Sequence, residues 1–381
     1  MKILHVVFYN PIENNGGGIE NVVSKLATNQ LRRGDSVTII CQSDKSEVLY
    51  TSRLGKIIKI GLPNCRIFSR FKINVKKIIY NRKLRNYINA NGAEYDIIHI
   101  HGDLCGFKEL HKYNTIVTFH GFTENASRSR NIFARIVLYY ASIRYELANI
   151  RYCKKLVSVS EKVKADILLH TKKNVRVIYN GINTELYKPV SEREKKRLRT
   201  KLGMQKDTYY ALFIGKDKYI KGLDIASRAV KLTHSKLHIN VIGVTGKNEE
   251  RVTFLGPLYA RVKLNYMNSS DMLIAPSRYD AFPVTILEAM GCGLPVFISR
   301  NVGTKELITN GQNGIILEHN VPEAYSTEID SLLNNKERLL SISIKARKVA
   351  LESSDKIMCD AYYAEYIHLL ANRLDRHSKY K

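Results

Sequence analysis

The sequence lacks any long apolar run, and none of its hydrophobic stretches approaches the ~18 residues that a membrane span requires. Its first apolar stretch, residues 3–9, is interrupted only by His5, and it is too short for a signal peptide. It predicts a buried first strand. The six cysteines form no CxxC pair and no closely spaced set, which favours free thiols in a reducing cytoplasm.

Acidic residues are scarce. Lys and Arg number 61 against 35 Asp and Glu, which gives a formal net charge of +26. Residues 1–185 hold 30 basic and 14 acidic side chains, and residues 186–381 hold 31 and 21. This surplus of positive charge indicates an anionic partner such as nucleic acid, phospholipid or a phosphorylated small molecule. The alternative is that the basic residues only form a solvated surface. A non-enzymatic nucleic-acid binder is disfavoured because the charge is dispersed and no recognition motif is present.

Apolar strands alternate with helical segments along most of the chain. Segments such as "ILHVVFY", "SVTIICQ", "DIIHIHG" and "TIVTFHG" each end in a loop or a helix start, which predicts parallel sheets covered on both faces. The alternation restarts after "YNGINTELYKP", where Ser191 and Glu194 have the spacing of a capping box. We therefore predict an α/β protein of two doubly wound domains, 1–185 and 186–354. A final helix, 355–381, is expected to pack back on the first domain.

The stretch "SRYDAFPVTILEAMGCGLPVFIS", residues 277–299, places two carboxylates near one short apolar helix. Pro283 suits the first turn of that helix, and "GCGLP" suits its end. Asp280 then precedes a helix N-terminus, which is a natural seat for phosphate. Glu288 lies about two turns further, where it could accept hydrogen bonds from a ribose diol. The alternative for Glu288 is a solvated or lysine-paired glutamate.

Two loops carry features of a phosphate site. Lys216 and Lys221 follow a predicted strand with Gly215 and Gly222 beside them, and two ammonium groups there could neutralise a diphosphate. The sequence contains no Asp-x-Asp, the usual device for holding a metal on a nucleotide-sugar. The loop "NNGGGIEN" lacks both the Walker pattern and GxGxxG spacing, so its glycines indicate either close ligand approach or a tight turn.

These segments together resemble the GT-B glycosyltransferases of family GT4. "DAFPVTILEAMGCGLPV" is similar to the family's acid-x7-Glu signature, and "FIGKDKYIKGLDIASRA" is similar to its basic loop. "VRVIYNGINTELYKP", "NVGTKELITNGQNGIIL", "GGGIENVV", "DIIHIHG" and "FHG" resemble further family landmarks in the same order. Three positions depart from the family pattern: Asp280 stands for Glu, Lys216 for Arg and Pro283 for Gly.

The resemblance implies a GT-B fold with an interdomain cleft and a retaining transfer of sugar from a nucleoside diphosphate sugar to an acceptor hydroxyl. Metal and other cofactors are not expected. The implied catalytic residues contact the donor substrate. Asp280 and His120 would position the donor sugar, and Lys216 and Lys221 would stabilise its diphosphate. In this reading His120 donates a hydrogen bond to the sugar. The implied substrate-binding residues lie in the loop "NNGGGIEN" and in the segment of the acid-x7-Glu signature: Gly17, Gly18, Phe282, Pro283, Val284 and Glu288.

Residues 66–85 hold eight basic side chains and no acidic one. A basic amphipathic helix can lie on an anionic membrane, with Arg70, Lys72, Lys76 and Lys77 as the contacts. The alternative is a helix packed on the sheet with solvated charges. The expected location is therefore the cytoplasm, on the inner face of the membrane, with a lipid-linked or cell-surface glycan precursor as acceptor. A soluble sugar or sugar-phosphate acceptor is the alternative. Separately, His99, His101 and Asp103 alternate at a strand end, which admits a metal triad.

Overall fold

The computed structural model describes residues 1–12, 18–63, 69–122, 132, 136 and 139–378, with the side chains of 69–74, 141 and 372–378 outside the description. The chain divides into two compact units. The first comprises Met1–Tyr179 and Met358–Lys381, and the second comprises Asn180–Ile357. The first boundary therefore falls before residue 185, and the second falls after residue 354.

The first unit is built on an eight-stranded sheet. Its strands, in chain order, are β1 Lys2–Val6, β2 Ser36–Ser43, β3 Glu47–Thr51, β4 Gly55–Gly61, β5 Ile97–His101, β6 Thr115–Phe119, β7 Lys155–Ser158 and β8 Val175–Val177. Their spatial order is β3-β4-β2-β1-β5-β6-β7-β8, and every pair is parallel except β3 with β4. The apolar, mostly buried sequences of β1, β5 and β6 suit a sheet covered on both faces.

The helices of the first unit connect these strands. The α-helices are α1 Gly18–Arg32, α2 Ser69–Asn91, α3 Arg144–Tyr152 and α4 Glu161–Leu168. Short 3-10 helices cover Gly92–Glu94 and Lys108–Lys112, and a π-helix covers Tyr139–Ile143. Helix α1 ends two residues before Gly34, whose φ of 84° is a conformation that glycine adopts without steric cost.

The second unit repeats the architecture with a six-stranded, all-parallel sheet in the order β11-β10-β9-β12-β13-β14. Its strands are β9 Tyr209–Ile214, β10 Leu237–Ile242, β11 Val252–Gly256, β12 Met272–Ala275, β13 Val296–Ser299 and β14 Ile315–Leu317. Its helices are α5 Glu192–Lys201, α6 Leu223–Leu232, α7 Ala260–Ser269, α8 Val284–Gly291, the 3-10 helix Gly303–Leu307, α9 Pro322–Leu333 and α10 Lys336–Glu352. At the start of α5, the Ser191 side chain accepts a hydrogen bond from the Glu194 N–H, as the capping spacing predicted.

The last helix, α11 Asp355–Ser378, returns the chain to the first unit. Its buried side chains include Met358, Tyr362, Tyr366 and Leu369, and they share one core with residues from α1 and the central strands. The hydroxyl groups of Tyr362 and Tyr366 are thereby carried into the interior, where each needs a hydrogen-bonding partner.

Candidate functional site

In the second unit, the ends of β9 and β12 bring a lysine and a carboxylate together. The Lys221 ammonium donates a hydrogen bond to the Asp280 carboxylate, and both side chains are largely buried. The other carboxylate oxygen accepts from the Phe282 N–H at 3.2 Å. The backbone of Asp280 is also fixed, since its carbonyl accepts from the Gly303 N–H at 3.0 Å. Two predicted site residues therefore form one positioned ion pair.

Glycine makes this juxtaposition of loops possible. Gly222 has a φ of 73°, and a Cβ placed on it would lie 2.2 Å from the Pro276 carbonyl oxygen. Gly243 is similarly close to the neighbouring loop, because its Cβ would lie 2.4 Å from the Gly215 carbonyl oxygen. Such approaches are open only to a residue without a side chain. The loops therefore converge at the carboxyl ends of the parallel strands, where ligands bind in doubly wound folds.

Lys216 lies at the same edge but is placed differently from Lys221. Its side chain is exposed, and among the described residues it takes part in no ion pair. An exposed ammonium with no carboxylate partner keeps its charge available for an anion from solvent. Of the two predicted basic residues, Lys221 is therefore paired with a carboxylate and Lys216 is exposed to solvent.

Helix α8 begins at Val284, directly after Pro283. Pro283 occupies the N-cap position rather than the first turn, and the first-turn N–H groups start at Val284. Phe282 is buried beside it. The helix ends at Gly291, and Gly293, with a φ of 77°, donates its N–H to the Met290 carbonyl at 3.0 Å. The predicted glycine-rich stop of the helix is confirmed.

Glu288 on α8 is buried and paired with a lysine. The Lys263 ammonium on α7 donates to the Glu288 carboxylate at 2.7 Å. Tyr187 lies beside this pair; burial, together with the neighbouring carboxylate, raises the pKa of its phenol. Glu288 is therefore paired with a lysine and is not solvated. Lys263 and Tyr187 were not anticipated, since no local pattern links either residue to Glu288.

In the first unit, Asp103 does not join His99 and His101 in the metal triad that the sequence admitted as an alternative. Asp103 pairs with Lys77 at 2.6 Å. His5 lies beside these two histidines instead, and one ring nitrogen from each of His5, His99 and His101 lies within 4.8 Å of the other two. The register of the parallel sheet explains this cluster, because β1 aligns His5 directly beside His99 of β5.

His120, at the end of β6, extends the cluster. Its Nε2 lies 3.2 Å from His101 Nδ1, and burial lowers the pKa of His120 to about 4. Gly18 is the exposed first residue of α1, and a Cβ placed on it would meet no atom within 4 Å. Local packing therefore does not require glycine at Gly18. Gly17 lies outside the described residues.

The basic helix α2 uses part of its charge internally. Lys76 pairs with Asp44 at 3.0 Å, and Lys77 pairs with Asp103. Arg70 and Lys72 lie on the same helix, and their side chains are outside the description. Two of the four predicted membrane contacts therefore have carboxylate partners within the unit. No described helix has the length and hydropathy needed to cross a membrane.

Two family models cover most of the chain. The model described as Glycosyltransferase Family 4 matches residues 16–186, and the one described as Glycosyl transferases group 1 matches residues 194–349. The chain belongs to the GT4-type glycosyltransferases. Its two α/β units with parallel sheets are those of the GT-B fold, so the predicted fold class and enzyme class are confirmed.

The named relatives have low sequence identity to this chain, but they align with it over most of its length. An uncharacterised glycosyltransferase of Methanocaldococcus jannaschii is 26% identical over 266 residues, which cover 64% of this chain and 67% of the relative. A D-inositol 3-phosphate glycosyltransferase of Corynebacterium glutamicum is 21% identical over 367 residues, which cover 86% of each chain.

Solved structures match nearly the whole glycosyltransferase chain. The sucrose-phosphate synthase of Thermosynechococcus elongatus superposes with a TM-score of 0.82 at 17% identity, covering 97% of this chain and 99% of the other. The Anabaena HepE protein in complex with UDP and glucose gives 0.71 at 17% identity, with the same coverage. WaaG, a glycosyltransferase involved in lipopolysaccharide biosynthesis, gives 0.74 at 18% identity, covering 94% and 99%.

Proposed function

We propose that this glycosyltransferase transfers a sugar with retention of anomeric configuration from a nucleoside diphosphate sugar to an acceptor hydroxyl. The observation that carries this proposal is the Lys221–Asp280 ion pair at the carboxyl ends of β9 and β12. An anionic ligand arriving there competes with Asp280 for Lys221. The ammonium then serves the diphosphate, and the released carboxylate is free to accept hydrogen bonds from sugar hydroxyls.

The reaction needs charge stabilisation more than it needs a nucleophile. The bond between the anomeric carbon and the diphosphate oxygen breaks, and a bond from that carbon to the acceptor oxygen forms on the same face. The acceptor proton passes to the leaving diphosphate. Lys216, Lys221 and the N–H groups from Val284 onward stabilise the charge that develops on the diphosphate. Asp280 stabilises the oxocarbenium-like sugar, and Glu288 holds the ribose.

A divalent metal is not needed in this scheme, because two ammonium groups and a helix N-terminus carry the charge that a metal would otherwise neutralise. The test is transfer from UDP-, GDP- and ADP-sugars after treatment with excess EDTA, with the anomeric configuration of the product read by NMR. Undiminished transfer and a retained configuration support the proposal. Loss of transfer that Mg²⁺ or Mn²⁺ restores, or an inverted product, would contradict it.

The proposed acceptor is a lipid-linked or cell-surface glycan precursor, reached by docking on the inner face of the cytoplasmic membrane. The support is the acid-free basic segment 66–85 and the likeness to WaaG, a glycosyltransferase involved in lipopolysaccharide biosynthesis. Basic residues near an anionic surface contribute about 1 kcal/mol each and weaken as salt screens them. Because Lys76 and Lys77 have internal partners, Arg70 and Lys72 are the better residues to change.

The test is co-sedimentation with liposomes that contain phosphatidylserine, at low and high salt. Arg70→Glu with Lys72→Glu should abolish binding at low salt, and Lys76→Gln should reduce it less. A soluble sugar-phosphate acceptor is the second candidate, favoured by the likeness to the D-inositol 3-phosphate glycosyltransferase of Corynebacterium glutamicum. Failure of the wild-type protein to bind anionic liposomes, together with transfer to a sugar phosphate, selects that candidate.

A further inference from the structure

An unbroken chain of hydrogen-bonded side chains runs through the core of the first unit. It links eight residues in this order: His120, His101, His5, Gln30, Tyr366, His99, Thr118 and Tyr362. The seven successive contacts are 3.2, 3.1, 2.8, 3.3, 2.7, 2.8 and 3.2 Å. Every member except His120 is buried, and His120 is partly exposed at one end.

The four histidines in this chain are neutral near pH 7. Burial lowers the pKa of His5 to about 4, and it lowers the pKa values of His99 and His101 well below their usual range. A neutral imidazole has one N–H donor and one acceptor nitrogen. Each histidine that bonds on both sides must therefore accept on one side and donate on the other, so the direction of one bond fixes its neighbour.

Gln30 sets that direction. Its Oε1 faces His5 Nε2 at 2.8 Å, so the proton of His5 lies on Nε2 and its Nδ1 accepts. His101 must then donate from Nε2 to His5 and accept at Nδ1. His120 in turn donates from Nε2 and is left with a lone pair on Nδ1.

The other half of the chain agrees with this direction. The Gln30 amide N–H donates to the Tyr366 hydroxyl, which leaves the hydroxyl proton for His99 Nδ1. His99 then donates from Nε2 to Thr118, which donates to Tyr362. All seven contacts are satisfied in a single direction. Rotating the Gln30 amide by half a turn would require every bond to reverse and would place the proton of His120 on Nδ1.

We infer that Gln30, His5 and His101 are positioning residues that hold His120 as the Nε2–H tautomer, so that its Nδ1 accepts a hydrogen bond. Resting on the proposed function, this makes a hydroxyl group of a bound substrate the partner that donates to His120. The expectation that His120 donates to the sugar is thereby replaced by its opposite. A ligand with a hydroxyl is favoured at this nitrogen over one with a carbonyl, because only the hydroxyl can donate.

A metal ion fits these histidines less well. The ring nitrogens of His5, His99 and His101 all have hydrogen-bonding partners within the chain. Binding a metal through three of them would break contacts in the interior and leave buried groups unsatisfied, which is costly.

The test is long-range ¹H–¹⁵N NMR of the full chain labelled at histidine, near pH 7.5, with the His120 signals assigned from a His120→Gln variant. The Nε2–H tautomer is expected at His120, His101 and His5. Tyr366→Phe removes the hydroxyl that contacts both the Gln30 amide and His99 Nδ1. The Gln30 amide then loses its partner on that side, so both tautomers of His120 should be populated. Tyr362→Phe removes the same atom at the far end of the chain and should leave the tautomer of His120 unchanged.

An Nδ1–H tautomer of His120 in the wild-type protein, or a tautomer that does not respond to Tyr366→Phe, would overturn the inference. The NMR result does not require transfer activity, so it stands apart from the proposed function. With an active donor, Tyr366→Phe should lower kcat about tenfold, since a misdirected hydrogen bond costs on the order of 1.4 kcal/mol. The dissociation constant of the free nucleotide diphosphate should not change.

Discussion

Two sets of polar side chains, the histidine-rich chain of the first unit and the site residues of the second, are satisfied by different means. In the first unit, neutral side chains bond in sequence from His120 to Tyr362, and no charge is buried along that chain. In the second unit, the site residues form ion pairs, Lys221 with Asp280 and Lys263 with Glu288. In a chain of neutral groups, the donor-to-acceptor direction of one hydrogen bond fixes the direction of the next. In an ion pair, an anionic ligand can take the place of the carboxylate as the partner of the lysine. The first arrangement suits orientation of one group, and the second suits exchange of partners with a diphosphate.

The largest expected effect comes from removing the lysine of the first ion pair. Lys221→Ala takes away the ammonium that we assign to the leaving diphosphate, and kcat should fall ~10²–10³-fold. Lys231→Ala is the matched control, because Lys231 also pairs with a carboxylate, Glu249, on the exposed surface of the same unit. The measurement is steady-state transfer by both variants. Equal activity of the two would mean that the Lys221–Asp280 pair is structural only.

A smaller effect is expected when the carboxylate is neutralised. Asp280→Asn keeps the shape and the hydrogen bond from the Phe282 N–H but loses the charge that stabilises the sugar cation. A lost interaction of ~1.5–3 kcal/mol corresponds to a fall in kcat of about 10- to 150-fold, with little change in nucleotide affinity. Asp224→Asn breaks an exposed pair with Arg278 and serves as the control. A fall in affinity alone would place Asp280 at the nucleotide instead.

Helix ends could be predicted where nearby residues in the sequence mark them. Side-chain contacts between residues far apart in the sequence could not be predicted. Pro283 and the glycines after Met290 mark both ends of α8 within a few residues, and the Ser191 and Glu194 spacing marks the start of α5. Lys263 meets Glu288 from another helix, and His5 meets His101 across 96 positions of sequence. Both contacts depend on strand order and register, which local periodicity does not encode.

Substitutions of Glu288 and of its partner Lys263 should have a third, smaller effect. Together they distinguish a role of Glu288 in binding the ribose from a purely structural role in the ion pair. Glu288→Gln should weaken nucleotide diphosphate binding about tenfold if the carboxylate holds the ribose, measured by calorimetry. Lys263→Met leaves Glu288 in place and removes its partner. It should therefore lower the free energy of unfolding by ~3 kcal/mol while retaining more of the nucleotide affinity. Loss of stability in both variants, with affinity unchanged in both, would show that the pair only ties α7 to α8.

The smallest expected effect is a loss of stability of the first unit at acidic pH. His5 is neutral when folded, with a pKa lowered by burial to about 4, whereas its unfolded pKa is near 6.5. The unfolded state therefore binds the proton first, and stability falls as the pH drops from about 6.5 toward 4. At pH 5.5 this one histidine should lower the free energy of unfolding by about 1.4 kcal/mol relative to pH 7.5. Hydrogen exchange of β1 and β5 against β9 and β12 measures the difference, and His5→Gln should reduce the slope for the first unit. If both sheets lose protection equally over this range, the neutral chain is not the acid-sensitive part of the molecule.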